Sequence, residues 1–180
     1  MRVRVEDIPE EGLRLDFEFA PDRLLALTPE DDPLAPRAEG ALSVALALRG
    51  NAERVRITGS VRGGLTLQCG RCLERFGFAV DEAVDAVLIR ETPVETTEEV
   101  EVPGREMDVE FFDGVEIDID RLVAEQVFLA LPVAAVCAEE CRGLCPRCGA
   151  NLNTGECRCG KEEGDSPFSA LSGLKDRLPK

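Results

Sequence analysis

Eight cysteines in a chain of 180 residues with no histidine fall into four short-spaced pairs: Cys69-x-x-Cys72, Cys137-x-x-x-Cys141, Cys145-x-x-Cys148 and Cys157-x-Cys159. Such spacing lets a turn point two thiolates at one tetrahedral zinc ion, with Zn–S bonds of about 2.3 Å. A disulfide framework would suit a small secreted protein. The start, Met1-Arg2-Val3-Arg4-Val5-Glu6-Asp7, lacks the apolar stretch of an export signal, so the pairs predict metal in a reducing compartment, the cytoplasm. No stretch approaches the roughly 18 consecutive apolar residues of a membrane span, and no membrane partner is expected.

Cys145-Pro-Arg-Cys148-Gly149 has the shape of a zinc knuckle in which Gly149 supplies a positive φ. Cys157-Arg-Cys159, flanked by Gly155 and Gly160, completes a four-cysteine site with it. The economical assignment of the remaining Cys69, Cys72, Cys137 and Cys141 is a second site, for two Zn2+ per chain; spacing also permits Cys141 to group with Cys145 and Cys148 instead. Both sites are expected to be closed. With no histidine there is no Ser-His or Cys-His pair, so neither enzymatic turnover nor a small-molecule substrate is expected. The rival reading is a thiol redox sensor or oxidoreductase using Cys69 and Cys72. That chemistry needs a depressed thiolate pKa, usually beside a helix N-terminus, whereas here an alternating, strand-like run leads into the pair.

Alternating apolar and polar residues predict strands over 13–19, 41–48, 53–60 and 61–68, with Gly50-Asn51 and Gly63-Gly64 supplying turn or bulge chemistry, and returning strand positions from Phe76 to Ile89. Between Pro21 and Pro36 lies a connection in which Leu24 to Leu27 can form a helical turn. The stretch 91–114 reads as a loop, with Val100 and Val102 pairing at a sheet edge. From Asp118 the period changes. Ile119, Leu122, Val123, Val127 and Ala130 to Leu131 recur at helical spacing, Asp118 or Asp120 can cap the start, and Pro132 ends it. The fold class is therefore α+β: an antiparallel sheet, one main helix and a C-terminal four-cysteine zinc knuckle. The expected divisions are a main domain over 1–136 that includes the first cysteine pair, a zinc-binding segment over 137–160, and a tail over 161–180 with a short helix through Phe168, Leu171 and Leu174.

The formal charge of −15 is concentrated in residues 91–120, where twelve acids face Arg105 alone. This segment is either a solvated charged face or a docking surface for a basic protein. Arg71, Arg75, Arg142, Arg147, Arg158 and Lys161 cluster around the cysteines. They either offset the negative charge of each zinc tetrathiolate unit or form an RNA contact; with tyrosine and tryptophan absent, such a contact would follow the phosphate backbone.

Leu67-Gln-Cys-Gly-Arg-Cys-Leu-Glu74, an acidic loop, Glu116-Ile-Asp-Ile-Asp120 opening a helix that ends Leu129-Ala-Leu-Pro132, and Cys141-Arg-Gly-Leu-Cys-Pro-Arg-Cys-Gly-Ala-Asn-Leu-Asn153 follow one another in an order that resembles the YceD family, over nearly the whole chain. The resemblance implies a role in the accumulation or processing of 23S ribosomal RNA and in assembly of the large ribosomal subunit. Because the family's gene typically neighbours that of ribosomal protein bL32, it implies that small basic protein, or precursor 23S rRNA, as the partner. It also implies that the site holding Cys69 and Cys72 belongs to the main fold and that the compact site is an accessory stabiliser. No catalytic residue is implied.

Overall fold

Why the sheet has one wet face is visible in its registers. The computed structural model describes residues 1–28, 36–91, 109–155, 157 and 159. The chain runs β1 (Arg2–Arg4), a 3-10 turn (Val5–Asp7), β2 (Leu13–Phe19), α1 (Pro21–Ala26), β3 (Arg37–Ala38), β4 (Leu42–Gly50), β5 (Arg54–Gln68), β6 (Arg75–Arg90), β7 (Glu110–Phe112), β8 (Glu116–Asp118) and α2 (Ile119–Ala130). Leu13, Leu15, Phe17 and Phe19 on β2 stand opposite Leu48, Leu46, Val44 and Leu42 on β4. Val44 and Leu48 in turn face Val61 and Ile57 on β5, which pairs along its length with β6. A period of two puts all of these on one face, and α2 closes that face by burying Ile119, Leu122, Val123, Ala124 and Val127. Each buried Ile, Leu or Val among these contributes roughly 1.5–3 kcal/mol.

The main sheet has the order β2-β4-β5-β6-β7, with β3 paired to β5 beyond the start of β4. β1 and β8 form a separate antiparallel pair. The result is mostly sheet with one main helix, as the residue patterns indicate. Two features differ in detail. Runs 53–60 and 61–68 form one 15-residue strand, because Gly63 is there for close packing rather than for a turn: a Cβ on it would lie 2.4 Å from Leu42 Cδ2. β7 joins β6 in parallel, adding one short parallel pairing to an otherwise antiparallel sheet.

At the other hairpin, Asn51 Oδ1 accepts from the backbone N–H groups of Glu53 and Arg54 and so shapes the β4–β5 turn. Asp118 caps α2 by accepting from Arg121 N at 3.2 Å. Val100, Val102 and the expected tail helix lie outside the described residues. Among the described residues no helix is long and apolar enough to cross a membrane.

Candidate metal centre

β5 and β6 extend past the rest of the sheet, and Cys69 and Cys72 occupy the tip that joins them. Cys69 N donates to Glu74 O and Leu73 N to Cys69 O, with Leu73 in the left-handed region at φ +62. Gln68 Nε2 donates to Leu73 O and holds the turn from the strand side. The segment after α2 then folds back against this tip: Gly70 N donates to Ala135 O and Leu144 N to Arg71 O. Gly143 makes the second contact possible, with φ +71 and an ideal Cβ only 3.0 Å from Arg71 O.

This docking brings the sulfurs of Cys69, Cys72, Cys137 and Cys141 within 4.8 Å of one another; those of Cys145, Cys148, Cys157 and Cys159 lie equally close, gathered within their own segment. Cys141 does not group with Cys145 and Cys148. In the first cluster Cys69 Sγ lies 3.8 Å from Cys141 Sγ, and Cys72 Sγ lies 3.7 Å from Cys137 Sγ. A tetrahedral ion with bonds of about 2.3 Å sets its ligands about 3.8 Å apart, whereas a disulfide needs about 2.05 Å. The donor set therefore fits a metal ion of zinc's size and softness.

Cys69 and Cys72 are buried, and with Cys141 they pack against Phe76, Val136 and Leu144. Phe76 also touches the main core, so the cluster is continuous with the sheet. In the first cluster only Cys137 is exposed, whereas the second is more open, with Cys148 exposed and Cys157 and Cys159 half-buried. Its knuckle is built locally: Cys145 N donates to Ala150 O and Gly149 N to Cys145 O, with Gly149 at φ +71.

The thiols resist ionising together. Burial pushes Cys69 up, but the N–H groups of Cys72, Cys137 and Arg71 outweigh it and bring the thiol down to about 6. Cys137, hydrogen-bonded to Cys141, is pushed up to about 12. In the second cluster the N–H groups of Cys148 and Arg147 bring Cys145 down to about 6, while Cys148 helps push Cys159 up to about 12. Four crowded sulfurs share negative charge badly, and a divalent cation at the centre would let all of them become thiolates.

Of the arginines near the clusters, Arg71 is engaged internally: its Nη1 donates to Glu139 O at 2.9 Å and Cys141 O at 3.1 Å. Arg75, Arg142 and Arg147 are exposed, while Arg158 and Lys161 lie outside the described residues. The sequence reading missed Asn153, whose Nδ2 donates to Cys141 Sγ at 3.3 Å and whose Oδ1 accepts from Arg142 N at 2.7 Å. Asn151 was missed too; it receives Asn153 N and reaches Glu74 across the tip at 3.4 Å. The Asn-Leu-Asn run between two cysteine pairs was the only available signal.

The chain is 30% identical over 148 residues to the large ribosomal RNA subunit accumulation protein YCED homolog 1, chloroplastic, of Arabidopsis thaliana, covering 70% of this chain and 46% of that one. It is 31% identical over 163 residues to the Zea mays protein of the same name, covering 77% and 54%. An uncharacterised protein of Mycobacterium tuberculosis is 35% identical over 117 residues, covering 63% and 53%. The chain thus spans about half the length of the curated relatives it matches. No solved structure matches. The family model described as large ribosomal RNA subunit accumulation protein YceD matches residues 57–175, a span that starts within β5 and takes in all eight cysteines, and on that match the chain belongs to the YceD family.

Proposed function

We propose that the protein is a non-enzymatic, cytoplasmic factor in 23S rRNA accumulation and large-subunit assembly, held in shape by two structural zinc ions. It acts by binding a large-subunit ribosomal protein such as bL32, or precursor 23S rRNA. The observation that carries this reading is the closure of both cysteine clusters. Four thiolates fill zinc's coordination shell and leave no position for a water or a substrate. In the alternative redox reading Cys69 and Cys72 would stand as an accessible pair; instead they are buried beside two further sulfurs. The acids over 91–120 favour a basic partner by charge. Arg75, Arg142 and Arg147, with Arg158 and Lys161, are either counter-charges to the thiolates or RNA contacts, whereas Arg71 is accounted for by the carbonyls it ties together.

Deleting the gene and measuring mature and precursor 23S rRNA tests the process. Precursor is expected to accumulate and 50S particles to fall. A chain carrying Cys69→Ser and Cys137→Ser should fail to restore them. Normal rRNA ratios and subunit profiles in the deletion strain would end this reading.

A further inference from the structure

At the end of the sheet remote from the cysteines, the open face carries a cationic arrangement that folding does not require. Arg14 on β2, Arg49 on β4 and Arg54 and Arg56 on β5 are all exposed on the side opposite the core. Arg49 stands directly across the ladder from Arg56, a like-charge pair of the kind that destabilises a sheet. Asp85 neutralises Arg56 through two hydrogen bonds of 2.9 and 2.8 Å. Arg14, Arg49 and Arg54 have no side-chain hydrogen bond or ion pair among the described residues.

Arg14, Arg49 and Arg56 line one groove of about 410 Å3, floored by the small side chains of Ala47 and Thr58, with Glu11 at its rim. Gly12 is part of its construction. At φ +95 it lets Arg49 lie across the start of β2, where a Cβ would come within 2.8 Å of Arg49 Cγ.

We infer that this groove binds the phosphodiester backbone of RNA, an inference that rests on the proposed role in rRNA accumulation. Guanidinium forks match phosphate oxygens bidentately, and a small-residue floor lets the backbone approach. Among the described residues no aromatic side chain lines the groove, so bases are not stacked there and the contact follows the backbone. The protein's net negative charge does not cancel it. Of the acids that line the cavity around β7 and α2, Glu110 on β7 lies two strand spacings from β5, about 10 Å, just beyond the Debye length of about 8 Å at physiological salt, and Glu91 follows the end of β6. Closer by, Asp16 and Glu18 on β2 change the sign of the face beyond Ala45 and Ser43, which bounds the site on that side.

The test uses the zinc-loaded full chain and a fluorescein-labelled transcript of large-subunit rRNA, followed by anisotropy over a salt series. Arg14→Gln with Arg49→Gln should weaken binding about ten-fold or more and lower the salt slope by roughly 1.4, about 0.7 for each phosphate no longer neutralised. Zinc content should match the wild type and Tm should equal or slightly exceed it, since the change relieves a like-charge pair. Arg75→Gln with Arg142→Gln, near the cysteines, should bind within two-fold of wild type. Unchanged affinity and slope in the first variant would overturn the inference, as would equally tight wild-type binding to poly-L-glutamate. Failure of the groove is distinguishable from failure of the proposed function. If cells living on the first variant keep normal 23S rRNA while the deletion strain loses it, the groove falls and the function stands; if the deletion strain is normal, the function falls.

Discussion

Asn153 works at two distances at once: its amide touches the sulfur of Cys141 and its oxygen holds the backbone of Arg142. Hydrogen bonds to a thiolate keep its charge local and its geometry fixed, as outer-shell partners of metal ligands do. Asn153→Ala should cost about 1–3 kcal/mol and speed zinc release to a chelator, read by a colorimetric dye; an unchanged release rate would mean the contact is incidental. Gly143 and Gly149 share a φ of +71, but their surroundings differ. Gly149→Ala incurs only the left-handed backbone penalty, about 1–2 kcal/mol, whereas Gly143→Ala also presses on Arg71 O. Thermal melts should therefore show the larger loss for Gly143→Ala. The cysteine spacings were readable because ligand pairs are local features of the chain. Asn153 was not, nor was the carbonyl-tying role of Arg71, which was readable only as a nearby charge, because each acts on a segment that only the fold brings near.

The same distinction explains what was legible at the level of strands and helices. Long alternating runs marked β2, β4 and β6, and a change to helical spacing at Asp118 marked α2, since each carries enough apolar positions to set its own period. β1, β3, β7 and β8 have two or three residues each, too few to display a period, and exist because a neighbour supplies the ladder. Gly63 misled in a specific way: glycine inside an alternating run marks either a turn or a close approach, and Leu42, which decides between them, lies 21 positions earlier. Gly63→Ala should accordingly destabilise by about 1–3 kcal/mol through displaced Leu42 packing, visible as a lower urea midpoint. The β7–β8 turn carries a pH signature. Asp113 accepts from Glu116 N and Val115 N, which hold its carboxyl below the ordinary range. Its contribution is therefore complete above the unfolded carboxylate pKa, near 3.9, and is lost as pH falls through the lowered folded value. The Tm difference between wild type and Asp113→Ala should be constant above about pH 5 and shrink below it.

Over the whole molecule the two clusters divide the work unequally. The first ties residues 65 positions apart in the Cys72–Cys137 contact, and a cross-link of that span is worth about 4 kcal/mol by chain-entropy arithmetic. The second closes within a short segment. Cys69→Ser should lower Tm sharply, while Cys148→Ser should bind one zinc fewer with Tm nearly unchanged, a contrast that metal analysis and calorimetry on the same samples would check. Full removal of metal should release the segment after α2 to protease while the sheet, whose core is independent of sulfur, stays folded.

The reach of that first contact also has a consequence in time. A ribosome making roughly 5–20 residues per second needs about 3 to 13 seconds to add the 65 positions between Cys72 and Cys137. The β5–β6 hairpin is local and can form early in that interval, presenting two unpartnered thiols at its tip to whatever metal or oxidant the nascent chain meets. Until the last ligands emerge, the young protein is a half-built chelate, and under the proposed zinc occupancy the cell's free zinc during translation conditions the docking of the segment after α2 rather than the folding of the sheet.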